Sequence, residues 1–305
     1  MLILECLVGI IARIERKVKA LKVIQRKRLL ADAALFLVAF IWGSTFVIIK
    51  RAINDVPPLT FNSFRFLIAA GFIAIIFRDK IKEFKTNTWR SGILIGIFLF
   101  LGYTLQTLGL QYTTASKAGF ITGLSVVIVP ILSGIKNRQF PPFTALVGAG
   151  LATLGLALLS LDEKLIFTKG DLLVLGCALA FALHIISVGE FAREEPSEML
   201  TLLQIGVVGL FSFILAGTKG ELSLPLRFSA WAAIVFCGLA ATALAYWIQT
   251  RAQKFTSPAR TALIFSTEPV FGALFAFWLA GEALTSKGIW GCLIIFLGML
   301  FAELG

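Results

Sequence analysis

Three ionisable side chains lie deep inside long apolar stretches of this 305-residue chain: Arg65 in FNSFRFL, His184 in LAFALHIISVG and Glu268 in FSTEPVFG. An ionisable residue costs about 2.5–3.5 kcal/mol at the centre of a membrane helix, so each is a functional candidate from the outset. Glu268 is the strongest, about ten residues into the span 258–280 and within a run, 261–281, that is otherwise uncharged. Pro269 follows it. The proline ring removes the backbone donor that would meet the carbonyl of Phe265 and disfavours helical geometry at Glu268 itself. A carboxylate beside freed carbonyls is a polar notch of the kind that lines transport sites. The hydroxyls of Ser266 and Thr267 add to it. In the structural alternative, Glu268 bonds to neighbouring helices and fixes the kink.

His184, the only histidine, titrates near neutral pH and suits a proton carrier or a substrate contact. A lone histidine in a helix also serves simply to bond across an interface. Glu268, Pro269 and His184 are therefore the candidates for coupling and kinking. Arg65 is placed to snorkel outwards or to pair with a carboxylate, a structural role. Lys50, Lys117 and Arg260 sit near the ends of apolar stretches and can snorkel. Trp42, Tyr103, Tyr246 and Trp247 share a depth near the middle of their stretches. Such rings hold an amine or heteroaromatic ligand by cation–π contact or stacking, or they pack the core. Ser44, Thr45, Gln106 and Gln249 are the expected polar partners around such a ligand. Together with His184 and Glu268 these are the substrate-binding candidates, and so few charges suit a small, modestly charged molecule.

The elements that must position these residues are membrane helices. The chain is 58% hydrophobic and only 15% charged, with 28 Phe and 27 Gly, whereas soluble domains carry about 25% charge. Ten apolar stretches reach bilayer length: about 33–53, 59–77, 91–112, 117–135, 143–161, 170–189, 198–217, 230–250, 258–280 and 287–304. They are continuously apolar rather than alternating, so they are helices and not barrel strands. Of 28 Lys/Arg, 19 fall in segments that share the N-terminal side and eight on the other, leaving Arg65 within a span. That bias predicts both termini in the cytoplasm. The net charge of +11 is then topology plus affinity for anionic lipid rather than a nucleic-acid surface. Residues 1–30 read as a basic amphipathic segment on the inner surface, with Ile10, Ile14, Val18 and Leu21 on one face. Apolar residues precede its charges, which excludes a cleavable signal peptide.

The sequence repeats itself. At an offset of 142, Trp89 meets Trp231 and Gly96 meets Gly238; Gln106 and Gln249 match at 143. At 143, Gly148 and Gly155 meet Gly291 and Gly298, and at 139 Asp32 meets Asp171. Residues 31–161 and 169–304, joined by a linker at 162–168, are thus two copies of a five-helix unit. Five is odd, so the second copy enters the membrane from the opposite side. This all-α fold, ten transmembrane helices in a 5+5 inverted-topology repeat, recurs in secondary transporters.

WGSTFVIIK, GLQYTTASKAGFITGL, TEPVFGALFAFWLAGE and a glycine-rich last span, in that order, resemble the EamA-type transporters of the drug/metabolite transporter superfamily. The resemblance covers residues 31–304. It implies a multi-pass protein of the bacterial inner membrane that exports or exchanges a small metabolite, such as an amino acid or an amino-acid or nucleoside derivative, through a central cavity. It also implies a monomer, or a homodimer through the last helix of each half. The alternative is a sensor or scaffold with the same fold. The chain departs from the pattern where its first half reads GIKNRQFPP in place of LAGE. Pro130 also falls about three residues later than the repeat would place a counterpart of Pro269.

Other classes lack their residues. The four cysteines form no CxxC pair, and one histidine cannot supply HExxH, so neither a metal, a cofactor nor an enzyme activity is expected. No Walker A sequence is present to couple ATP. Gly92/Gly96, Gly119/Gly123 and the Gly148–Ala152–Gly155 stripe mark expected helix contacts.

Overall fold

The computed structural model describes residues 2–83, 85–109, 111–113, 115–160, 168–225, 227–281 and 285–303, with side chains from residue 22 on except at 46, 50, 81–83, 115–117, 280 and 303. All regular structure among them is helical. The helices are α1 (Leu2–Ala52), α2 (Pro58–Ile76), α3 (Thr86–Gly109), α4 (Ala115–Gly123), α5 (Ser125–Asn137), α6 (Phe143–Ser160), α7 (Lys169–Phe191), α8 (Ser197–Thr218), α9 (Phe228–Gly238), α10 (Ala245–Ala252), α11 (Pro258–Phe265), α12 (Glu268–Ala280) and α13 (Ser286–Glu303). A π-helical segment, Leu239–Leu244, joins α9 to α10. Among the described residues nine helical stretches are long and apolar enough to cross a membrane, and a tenth, Ser286–Ala302, is somewhat shorter. The first span is the latter part of α1. The amphipathic face expected within residues 1–30 depends on side chains outside the described residues. The side chains of Lys50 and Lys117 and most of the linker 162–168 are also outside them.

Three spans are composite. The fourth is α4 and α5, the eighth α9, the π segment and α10, and the ninth α11 and α12. The ninth breaks at Ser266–Thr267, immediately before Glu268 and Pro269, as the missing donor requires. The fourth breaks at Leu124, whose counterpart at an offset of 143 is Thr267. Pro130 lies inside α5 and is not the break. The two halves therefore kink at equivalent positions, although only one of them carries a proline there.

Helix pairing has the same symmetry. The second spans of the two halves pack on each other (α2 on α8), as do the fifth (α6 on α13) and the fourth (α5 on α11). The contact of α3 with α7 is matched by that of α10 with α1, and the contact of α5 with α7 by that of α12 with α1. Each half is thus interlocked with the other rather than packed as a separate bundle. Polar ties follow the same rule. Asp32 accepts a hydrogen bond from Thr256 at 2.8 Å and pairs with Arg260 at 3.2 Å. At offsets of 139 and 143, Asp171 accepts from Thr113 and caps α7 with Thr168. Arg260 is consequently held inside the protein by Asp32 rather than snorkelling.

The α6–α13 contact depends on glycine. A Cβ at Gly155 would lie 2.6 Å from the Gly291 carbonyl oxygen, and one at Gly291 would lie 2.7 Å from that of Gly155. Gly148 and Gly298 repeat this relation. The small-residue faces of both helices are therefore used within the chain, whereas Leu154, Leu293, Leu297 and Phe301 point outwards, as lipid-facing groups do. Gly92 and Gly96 receive Leu203, Gln204 and Val207 of α8, but Gly119 faces open space. Replacing Gly155 by Leu forces α6 off α13. The expected cost is about 1–3 kcal/mol, seen as a lower thermal unfolding midpoint in detergent, with Gly150→Leu, which meets open space, as the unaffected control.

Candidate functional site

Tyr103 and Tyr246 are exact repeat counterparts, 143 residues apart, and their hydroxyl oxygens lie 2.9 Å from each other. Equivalent residues touch only on the pseudo-twofold axis, so this pair marks the centre of the molecule. Rings surround it in matched pairs: Trp42 lies 5.4 Å from Tyr246, and its counterpart Phe181 lies 5.6 Å from Tyr103. Phe66 stands edge-on to Tyr103 at 5.0 Å, and Phe265 lies 4.9 Å from Trp42.

The polar groups around this axis do not obey the symmetry. The π segment Leu239–Leu244 widens the eighth span, where the third span, α3, is an ordinary helix. A π bulge inserts one residue and frees backbone groups from the i→i−4 pattern. Here the freed Ala241 carbonyl accepts the Trp42 indole N–H at 2.8 Å and Arg65 Nη2 at 3.4 Å. Thr242 donates to the carbonyl of Cys237, five residues back, and accepts Arg65 Nε at 2.6 Å. Arg65 is 3% exposed, so it neither snorkels nor, among the described residues, forms an ion pair. Its guanidinium lies 5.2 Å from the Phe66 ring centre and 5.7 Å from that of Tyr103.

Glu268 begins α12 opposite α1, which approaches so closely that a Cβ at Gly43 would lie 2.8 Å from the Glu268 carbonyl oxygen. Its side chain is half-buried. Among the described residues its carboxylate has neither a hydrogen bond nor an ion pair, and Arg65 is the charged group whose field acts on it. Tyr246 lies in the fields of both. Ser266 and Thr267, expected to line this notch, donate instead to the carbonyls of Leu263 and Ile264, each at 2.6 Å. Ser44 and Thr45 likewise donate to the carbonyls of Ile41 and Trp42.

His184 sits within a chain of bonds. Thr250 donates to the Tyr246 carbonyl at 2.7 Å, so its oxygen accepts from Gln204 Nε2 at 3.0 Å. That orientation turns Gln204 Oε1 towards His184 Nε2, 2.8 Å away, so Nε2 carries a proton. The histidine thus bonds across the α7–α8 interface and meets Tyr246 edge-on at 5.9 Å. The remaining expected residues spread outwards. Trp247 stacks on Phe77 at 5.9 Å and lies under Arg251 at 5.8 Å, towards the end that holds both termini. Gln249 donates to Gln253, and Gln106 to Thr122. The centre therefore brings together Trp42, Tyr103, Tyr246, His184 and Glu268. Thr45 and Ser44 share its helix but spend their hydroxyls on that helix. Sequence reasoning missed Gln204, Thr242 and the central position of Arg65, although Arg65 and Gln204 are matched by the 139 offset that relates Asp32 to Asp171.

A second polar region lies at the termini end, a cavity of about 490 Å³ lined by Lys80, Lys85, Glu194, Glu195, Pro196, Glu198, Arg251 and Lys254. Buried Glu198 pairs with Lys80 of the first half at 3.4 Å and with Arg251 at 3.7 Å. Burial lowers Lys254 below the ordinary lysine value, against the attraction of Glu198 and with the repulsion of Arg251 and Lys80.

Two interlocked inverted halves around an aromatic, charge-bearing centre define a polytopic membrane protein of transporter architecture. Residues 29–161 and 168–303 match the EamA-like transporter family, and the chain belongs to it. An uncharacterized transporter of Archaeoglobus fulgidus is 35% identical over 281 residues, 91% of this chain and 87% of the relative. The probable amino-acid metabolite efflux pump of Salmonella typhimurium is 25% identical, over 88% of this chain and 93% of its own length. One crystal structure shares the fold, with a TM-score of 0.75 at 18% identity over 88% of this chain and 95% of its own.

Thr242→Val keeps the shape but leaves Arg65 Nε unpaired in the interior. A loss of about 1–3 kcal/mol is expected, read as a lower unfolding midpoint in detergent, whereas Thr242→Ser should restore the wild-type value.

Proposed function

We propose that this membrane transporter is a secondary carrier that exports or exchanges a small metabolite such as an amino acid or an amino-acid or nucleoside derivative. The two five-helix halves rock about the Tyr103–Tyr246 axis and open the centre to each side in turn. The observation that carries the reading is the unpartnered Glu268 carboxylate beside the axis. A polar group left unmatched in the interior of a membrane bundle is costly, and it persists where a ligand or ion completes it. The name of the Salmonella relative supports an amino-acid-like substrate, and the lysine- and arginine-rich termini end supports placing both termini in the cytoplasm of a bacterial cell.

The test is uptake of labelled amino acids, amines and nucleosides into proteoliposomes, with and without a pH gradient. Wild type should give a saturable signal, and Glu268→Gln should lower the rate at least about tenfold while eluting as folded protein. A rate unchanged in Glu268→Gln would reduce the carboxylate to a helix-kink element, and a wild type that moves no solute would refute carriage.

A further inference from the structure

Arg65, buried, and Glu268, half-buried, are oppositely ionisable groups of one centre that make no ion pair with each other among the described residues. Buried charges are normally paired, because leaving one alone costs more than the pair gains. Arg65 is anchored on the π segment through Nε and Nη2, and among the described residues Nη1 makes no hydrogen bond. Glu268 is anchored by the helix break and the close approach of Gly43. The guanidinium is held by its own hydrogen bonds and the Glu268 backbone by its contact with α1, and among the described residues the two side chains make no ion pair with each other. The guanidinium lies over the Tyr103 ring, whose hydroxyl meets that of Tyr246; Tyr246 packs on Trp42, and Trp42 on Phe265, three residues before Glu268. The counterparts of the two residues are Gln204 and Ser125, so the charge pair belongs to this centre alone and not to the repeated scaffold.

Resting on the carrier reading above, we propose that Arg65 is a substrate-binding residue that takes a carboxylate while Glu268 takes an ammonium group, making the centre a receptor for zwitterions with an apolar or aromatic side chain. A guanidinium edge suits a carboxylate through charge-assisted hydrogen bonds, and a carboxylate beside aromatic faces suits an ammonium. A ligand bearing one charge leaves the other unmatched, and a site built around buried polar groups rejects such a ligand strongly.

The test is calorimetric titration of the purified full chain with L-phenylalanine and L-leucine, their decarboxylated amines and their deaminated acids, alongside proteoliposome uptake of the same set and of labelled nucleosides. Wild type should bind the amino acids at least about tenfold more tightly than either single-charge analogue. Arg65→Gln should erase the preference over the amines. Arg65→Lys, which keeps the charge but loses the fork, should fall between the two. Wild type that binds the amines as tightly as the amino acids overturns the proposal without any variant, and so does a folded Arg65→Lys or Arg65→Gln that keeps the full preference. Nucleoside uptake without amino-acid binding refutes the zwitterion site and leaves carriage standing. Amino-acid binding with wild-type selectivity but no uptake supports the site and refutes carriage.

Discussion

The absence of water in the bilayer interior is the constraint on which this structure depends. A buried donor or acceptor there must be matched by the protein itself. Almost every polar side chain near the centre obeys. The hydroxyls of Ser44, Thr45, Ser266 and Thr267 turn back onto their own helices, and His184, Gln204 and Thr250 form one continuous chain ending on a backbone carbonyl. The same matching runs through the helix contacts, where paired glycines let the backbones of α6 and α13 meet directly. Against that background the Glu268 carboxylate and the free edge of Arg65 are exceptions among the described residues, as are the buried Trp247 indole N–H and Gln249 Oε1.

One inserted residue creates the setting for both. The repeat offset is 142 at Trp89/Trp231 and Gly96/Gly238, and 143 at Tyr103/Tyr246 and beyond. The step falls where the eighth span turns π-helical, just after Gly238. That extra residue frees the Ala241 carbonyl and turns Thr242 towards Arg65. It also brings Tyr246 into register with Tyr103 on the axis. An insertion confined to one half thus makes a symmetric scaffold asymmetric at Arg65, and residue differences at matched positions add to it: Arg65 against Gln204, Glu268 against Ser125 and His184 against Thr45.

The fold was largely legible in the sequence because bilayer length and continuous apolarity are strong signals and the repeat forces the topology. The break before Glu268 was legible through Pro269. The break at Leu124 was not: Pro130 suggested another place, and the true position follows only from pairing of the kinked fourth spans, α5 on α11. Depth along a helix predicted that Trp42, Tyr103 and Tyr246 could meet. It did not show that Trp247, one residue further round the helix, also stacks on Phe77 and lies under Arg251. Nor did it show that the hydroxyls of Ser44 and Thr45 donate to their own helix, since a serine or threonine in a membrane helix has a carbonyl one turn back within reach. The π segment left a one-residue change of offset as its trace, and the snorkelling open to Arg65 in the sequence, the common fate of an arginine that close to a span end, gives way to burial on that segment.

The asymmetry extends from the centre to the mouths. At the termini end Glu198 of the second half holds Lys80 of the first, with Arg251 beside it. The positions related to Glu198 and Arg251 by the 139 and 143 offsets are Leu59 and Leu108, so that network has no counterpart at the far end, where Asp55 of the first half pairs with Arg227 of the second at 3.5 Å and Thr60 donates to the Glu221 carbonyl. In the proposed cycle these closures differ in kind. Asp55 and Arg227 are well exposed, and such a pair loses little when it parts into water, the less so in salt. The Glu198 carboxylate is buried, and a buried carboxylate that loses its partners costs more. A scaffold with two equivalent mouths would open them at equal cost. Here the ties at the two ends differ in burial, which in the proposed cycle makes the resting preference between the two open states a property of the loop chemistry rather than of the fold.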